Sequence, residues 1–471
     1  MQEPGPGSSH YRAAPPSRAS QRTTFLGVRA VIGGGKKIFA SPRPTSQSQT
    51  MEHPIPRRDF VSTLALSGLA LAAAPSILRG QSVPSKIKVA LIGCGGRGTG
   101  ALGQFIAACK ILGAEAEVVA LADAFEDRAK RLNDTYKLPA TKVFVGYDAY
   151  QKVMATDCAF VLMATPPAFR PVHFAAAVAA GKHCFVEKPV AVDPVGARAI
   201  IATGEEAKKK GLAVVAGTQR RHDASYMKNK ALIDAGAIGA LRGGVVQWNG
   251  TVPWIRRRAK DDTDADYMNR NWLNFTELSG DHIVEQHIHN VDVAIWFLGR
   301  PPVSALGFGG RARRETGNMF DFFSVDYDFG DGVRIHSQCR QITGTSGRVG
   351  EFFTGATGSC FGAGKMFGQK QVDIPAIKLD TDDSMVQEHV DLIRGAYNGK
   401  PVNDARQIAE TNLAVIMGRI SAYTGEMVKF DDLLKHEKSP YSNLKASVSP
   451  LDFEKGTVKL PTEVPSIPGK A

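Results

Sequence analysis

Two stretches of this chain hold residues whose type and spacing suit chemistry. The first is Gly93-Cys94-Gly95-Gly96-Arg97-Gly98, a GxGxxG that follows the apolar run 87–92 directly. Glycines there let the backbone approach a pyrophosphate, whose charge is met by the N-terminus of the helix that follows. A second apolar run, 118–122, ends in Asp123, whose carboxylate would accept from the adenosine ribose hydroxyls and repel a 2′-phosphate. The cofactor expected is therefore NAD rather than NADP. The second stretch is DHIVEQHIHNVDVAIWFLG, residues 281–299, which has a helical period. Val284, Ile288, Val291, Ile295 and Leu298 form its apolar stripe, and Asp281, Glu285, His289 and Asp292 form a polar stripe beside it. A polar stripe bordering the core is placed to face a cleft. His282, Glu285 and His289 share one broad face, an arrangement open to a divalent metal. No metal is assigned, because nothing in the sequence supplies an outer shell of partners.

These residues need elements to position them. Strand-like runs at 87–92, 118–122, 143–145, 160–164 and 183–186 alternate with helix-like segments at 100–112, 127–136, 147–155 and 170–180. That alternation predicts an α/β fold with a doubly wound parallel sheet of the Rossmann kind. Ligands of such sheets lie beyond the carboxyl ends of the strands. Gly93, Asp123, Thr165-Pro166 and Glu187-Lys188 all stand there, and with Gly95, Gly96, Arg97 and Gly98 they are the candidate cofactor site.

In combination, GCGGRG, LAD, MATPP and GKHCFVEKP resemble the glucose–fructose oxidoreductase/inositol dehydrogenase (Gfo/Idh/MocA) family. The likeness continues through residues 216–244, 281–299 and 388–402, and covers about 86–435. It implies a second α/β domain with a large, open, mostly antiparallel sheet. Segments 243–248, 305–311, 322–329 and 333–338 fit that sheet, with a hairpin signal at Gly330-Asp331-Gly332. By the resemblance, Lys188 of the EKP motif stabilises the developing alkoxide, its bond to Pro189 tends to be cis, and His289 is the acid/base. Glu285 stands where the family usually has Asp. A histidine suits this work because it titrates near neutral pH and a carboxylate can orient it. Arg220, Arg221 and His222 are candidates to reach substrate hydroxyls. Trp272 and Asn274, with Trp248 and Trp254, are candidates to stack on or hydrogen-bond a sugar.

Composition narrows the classes. Of a net charge of +12, +9 falls within residues 1–88 and only +3 on the remainder, so the body gives no nucleic-acid signal. Six scattered cysteines without a CxxC read as buried thiols. Residues 1–50 read as disordered or as an upstream extension ahead of Met51. Residues 51–85 resemble a twin-arginine export signal: Arg57-Arg58, then an apolar run 61–74 too short and too rich in Ala and Gly to span a bilayer comfortably. Pro56 stands where Ser or Thr is usual. The expected layout is 86–206 for the NAD-binding domain, 207–440 for a substrate and oligomerisation domain, and 441–471 for an extended tail.

The expected function is an exported, periplasmic, NAD-dependent oxidoreductase acting on the CH–OH group of a sugar or cyclitol, with a tightly held, recycled cofactor. A redox-neutral glycosidase or lyase working through a keto-sugar is the alternative. A non-catalytic binding protein of the same fold is the third. A homo-oligomer, dimer or tetramer, is expected, with no stable membrane span after signal processing.

Overall fold

The computed structural model describes residues 82–435 and 439–461. Arg57, Arg58 and the apolar run 61–74, read above as an export signal, lie outside the described residues, as do positions 462–471.

Six strands, β1 (Lys86–Ile92), β2 (Glu115–Asp123), β3 (Val143–Val145), β4 (Phe160–Met163), β5 (His183–Val186) and β6 (Val214–Ala216), form one sheet in the order β3-β2-β1-β4-β5-β6. Every pairing in it is parallel. Helices cover both faces, so the strands read as unbroken apolar runs rather than alternating ones. β6 completes this sheet, so the first domain runs past the expected boundary at 206. The helix Ser384–Tyr397 also returns to it: Val386, Val390 and Ile393 pack in one cluster with Leu102 and Phe105 of the helix Gly96–Ile111. Chain position misplaced that helix because a buried apolar face seeks whichever surface completes it.

The second sheet has eight strands: β7 (Leu241–Gly250), β8 (Ser304–Gly310), β9 (Phe322–Asp328), β10 (Arg334–Gln341), β11 (Arg348–Gly355), β12 (Ser359–Phe361), β13 (Met366–Phe367) and β14 (Val428–Lys429). Their order is β13-β12-β11-β7-β10-β9-β8-β14. Only β7 and β10 pair in parallel, so the sheet is mostly antiparallel. Gly330, Asp331 and Gly332 all take positive φ and turn β9 into β10. The helices Ile288–Leu298 and Ala405–Thr424 lie against one face and supply buried residues such as Val291, Leu413 and Met417 to the core.

The stretch 281–299 is not one helix. It divides into His282–Glu285 and Ile288–Leu298, separated at Gln286-His287. The amide of His287 reaches back to the His282 carbonyl at 3.1 Å, one residue further than an α-helical bond. The tail is also not simply extended. Ser449 caps a short helix, Pro450–Lys455, and Phe453 packs on Tyr147 and Phe169 of this same chain, with ring centroids 5.2 and 5.1 Å apart. All six cysteines are free and buried. Among the described residues no helix is long and apolar enough to cross a membrane.

Candidate active site

The glycine loop closes β1 onto the helix Gly96–Ile111. Gly93 has φ +97°, and a Cβ on it would meet the Ala164 carbonyl carbon at 2.8 Å. A Cβ on Gly98 would meet the Gly93 backbone oxygen at 1.7 Å, so loop and helix touch only because residue 98 is glycine. Gly95 and Gly96 have nothing within 4 Å of that position and line a cleft of about 430 Å³. Gly95 offers no side chain to cap the helix, so its first amides are available to an anion. Asp123 closes the other end of the loop, its carboxylate accepting from the amides of Cys94 at 2.7 Å and Phe125 at 2.9 Å. Thr165 and Pro166 line the same cleft. This arrangement fits a dinucleotide.

A smaller cavity of about 270 Å³ adjoins the cleft, and the two share Arg97, Ala164 and Trp272. Glu187, Lys188, Glu285 and His289 line it. Lys188 leaves the end of β5, and the bond to Pro189 is cis. Its Nζ donates to the backbone carbonyl of Glu285 at 2.7 Å and lies 3.5 Å from Glu285 Oε1. Glu285 Oε2 is buried with no hydrogen-bond partner. His289 stands across the helix break, its ring stacked on Trp248 at 5.8 Å. Burial first, then the charges of Lys188, Arg220 and Arg97, hold its imidazole well below the usual histidine range. His289 is thus neutral at physiological pH, the state in which it accepts a proton. Arg97 ties the two spaces together through Glu187, and Glu187 accepts from the Lys188 amide at 3.1 Å.

Several expected residues fall elsewhere. Asp281 is fully buried and accepts from Tyr423 Oη at 2.5 Å and the Phe320 amide at 3.0 Å. Asp292 takes both nitrogens of an Arg221 fork, at 2.8 and 2.9 Å. The polar stripe therefore contributes only Glu285 and His289 to the cavity. The helix break turns His282 toward Asp281 and Phe323, away from Glu285 and His289. No group of three metal-ligating side chains exists among the described residues. Asn274 is buried between the Trp254 carbonyl and Arg314, so it is structural. His222 pairs with Asp391 at 2.6 Å, and Arg220 with Glu351, neither lining the cavity. Trp248 lies between Arg220 and His289 rather than under a ligand. Trp272 does face both spaces.

Sequence reasoning missed Arg170, Gln219 and Glu388 in the cavity, and Arg128, Arg131, Tyr147, Phe169 and Asn269 in the cleft. Arg128 and Arg131 had a legible signal, being cations one and two turns after Asp123. Glu388 had none, since it is 200 residues from Lys188 along the chain.

Residues 87–217 match the model of the oxidoreductase family with NAD-binding Rossmann fold, and residues 226–359 match the GFO/IDH/MocA C-terminal domain. Together the matches cover more than half of the chain. This chain belongs to the Gfo/Idh/MocA family.

Within that family the chain is similar to inositol 2-dehydrogenase of Rhizobium meliloti, 28% identical over 207 residues, 44% of this chain and 55% of that one. It is also similar to inositol 2-dehydrogenase 3 of Saccharopolyspora erythraea, 35% identical over 210 residues, 44% of this chain and 54% of that one. The matched part spans about half the length of these relatives. Among solved folds it is similar to the WlbA dehydrogenase of Bordetella pertussis, in complex with NADH and UDP-GlcNAcA. The TM-score is 0.58 at 18% identity, covering 73% of this chain and 98% of that one. It is likewise similar to aldose-aldose oxidoreductase of Caulobacter crescentus, complexed with glycerol, with a TM-score of 0.56 at 20% identity, covering 73% and 99%. The NAD-binding Rossmann fold matched over residues 87–217 includes the glycine loop and Asp123.

Proposed function

We propose that this Gfo/Idh/MocA protein is an NAD-dependent oxidoreductase acting on a secondary alcohol of a sugar or cyclitol. One observation carries the reading: Lys188, Glu285 and His289 converge on a single cavity that opens into the dinucleotide cleft. Bound NAD supplies the hydride acceptor. Neutral His289 takes the hydroxyl proton, since its depressed pKa leaves the ring nitrogen free to accept. Lys188, fixed by the Glu285 carbonyl, holds the oxygen as negative charge develops on it. Glu285 Oε2 accepts from a neighbouring hydroxyl of the polyol.

The cofactor is tightly held and recycled within turnover. Support comes from a strap of the second domain that crosses the cleft: Trp254, Asn269 and Trp272 line it. Arg270 anchors the strap to the first domain, with its guanidinium 3.8 Å from the Phe125 ring centroid and 2.7 Å from Asp127. The protein is exported through its twin-arginine signal, a reading supported by the Arg57-Arg58 segment alone. It works as a homo-oligomer, supported by exposed Leu306, Phe308, Val349 and Phe367 on the second sheet.

The test uses purified protein without added cofactor. Nicotinamide dinucleotide released on denaturation is quantified by mass, and reduction of bound NAD is followed on adding myo-inositol, D-glucose or D-xylose. Near-stoichiometric NAD that is reduced by one of them supports the reading. Protein that reduces NAD with none of them overturns it, and glycoside cleavage without net reduction establishes the redox-neutral alternative.

A further inference from the structure

Glu388 sits in the first turn and a half of the helix Ser384–Tyr397 and is 1% exposed. It lines the inner cavity with Lys188, Glu285 and His289, and does not line the dinucleotide cleft. Its Oε1 is 3.4 Å from Arg97 Nη2, while its Oε2 is buried with no hydrogen-bond partner. A buried carboxyl oxygen left unpaired costs about 1–3 kcal/mol, and such atoms in folded proteins call for an explanation. Burial, and then the neighbouring Glu187 carboxylate, push the Glu388 carboxyl well above the usual range. That direction favours the protonated form, which can donate as well as accept. Two carboxyl groups that line one small cavity, Glu285 and Glu388, thus each keep an oxygen, Oε2, without a partner. Adjacent hydroxyls of a polyol match that pair.

We propose that Glu388 contacts the substrate directly, its Oε2 hydrogen-bonded to a hydroxyl beside the carbinol that Lys188 and His289 handle. This rests on the oxidoreductase reading above. Glu388 thereby selects substrates bearing a hydroxyl next to the reacting one, and the contact is distinct from the Arg97 contact made by Oε1.

The test compares holoenzyme with Glu388→Met, which keeps the volume but loses the polar oxygens, and Glu388→Gln, which keeps a donor and an acceptor. The probe is whichever of myo-inositol, D-glucose and D-xylose the unsubstituted holoenzyme oxidises fastest. Glu388→Met is expected to raise KM about 10-fold or more with bound NAD unchanged, and Glu388→Gln to stay within about 3-fold. An infrared difference spectrum gives a second readout: adding the probe should shift a protonated-carboxyl band, and Glu388→Gln should abolish that band. Loss of NAD with unchanged KM would mean that Glu388 only anchors Arg97, and overturns the proposal. So does an infrared band that substrate leaves in place. If the unsubstituted holoenzyme oxidises no probe, the functional reading fails first and takes this proposal with it.

Discussion

Lys188 Nζ, at the end of the first domain's fifth strand, donates to the backbone carbonyl of Glu285, in the second domain, at 2.7 Å. That bond, with a longer one of 3.4 Å to Gln286 Oε1, holds the ammonium at the lining of the inner cavity. A backbone acceptor also fixes the lysine without depending on any one side chain. Replacing Lys188 with Met keeps most of the stem and removes the donor. We expect kcat/KM to fall about 100- to 1000-fold while bound NAD stays constant, measured by steady-state kinetics and released-cofactor assay. Loss of NAD in parallel would relocate Lys188 to cofactor binding.

His289 is neutral across the physiological range because burial and three neighbouring cations oppose its protonation. Protonation inactivates a base, so the acid limb of the kcat/KM profile should lie well below pH 6.5 rather than near it. His289→Gln should lower kcat by about 100- to 10,000-fold and remove that limb. A limb that persists in the variant belongs to another group.

Asp123, Arg128 and Arg131 line the same cleft. Asp123→Ser removes the repulsion toward a 2′-phosphate and leaves both guanidinium groups to meet it. NAD affinity should drop about 10-fold or more, from lost charged hydrogen bonds, while NADP affinity rises. Calorimetry with each cofactor on protein stripped of NAD measures both, and unchanged preference would remove Asp123 from the discrimination.

Arg270→Ala releases the strap from Phe125 and Asp127. An exposed-edge cation–π contact and ion pair together contribute about 1–2 kcal/mol, so NAD should dissociate roughly 5- to 30-fold faster. Repeated gel filtration followed by cofactor assay reads this directly. Retention as in the unsubstituted protein would place the hold on the cofactor elsewhere.

Burial pushes His173 and His287 down to about 3. Unfolding returns each to about 6.5, so the unfolded chain binds the extra protons. Stability is complete above pH 6.5 and is lost as pH falls below it, by about 2 kcal/mol for each histidine at pH 5. Denaturant midpoints between pH 7 and 5 should decline accordingly; a flat profile would mean these rings are protonated when folded.

Much of the first domain was legible locally. β1, the glycine loop, Asp123 and the alternating strands and helices each follow from short-range pattern, because parallel strands buried on both faces must be apolar runs and a tight loop must be glycine. The spacing of Glu285 and His289 identified both residues but mistook their setting. Periodicity cannot register that the helix breaks at Gln286, sending His282 into the core and leaving Asp281 and Asp292 as internal ion partners.

What the sequence by itself determined was a class: a dinucleotide fold, its glycine loop and NAD as the cofactor, with one lysine and one histidine as candidates for the chemistry. Only the tertiary structure decided which residues surround them. Glu388 reaches the cavity because the helix Ser384–Tyr397 buries Val390 and Ile393 against the first domain. The tail reaches the wall of the cleft because Phe453 finds Tyr147 and Phe169. Apolar burial is non-directional and indifferent to separation along the chain. Residues carried into a site by such packing therefore leave no local pattern to read.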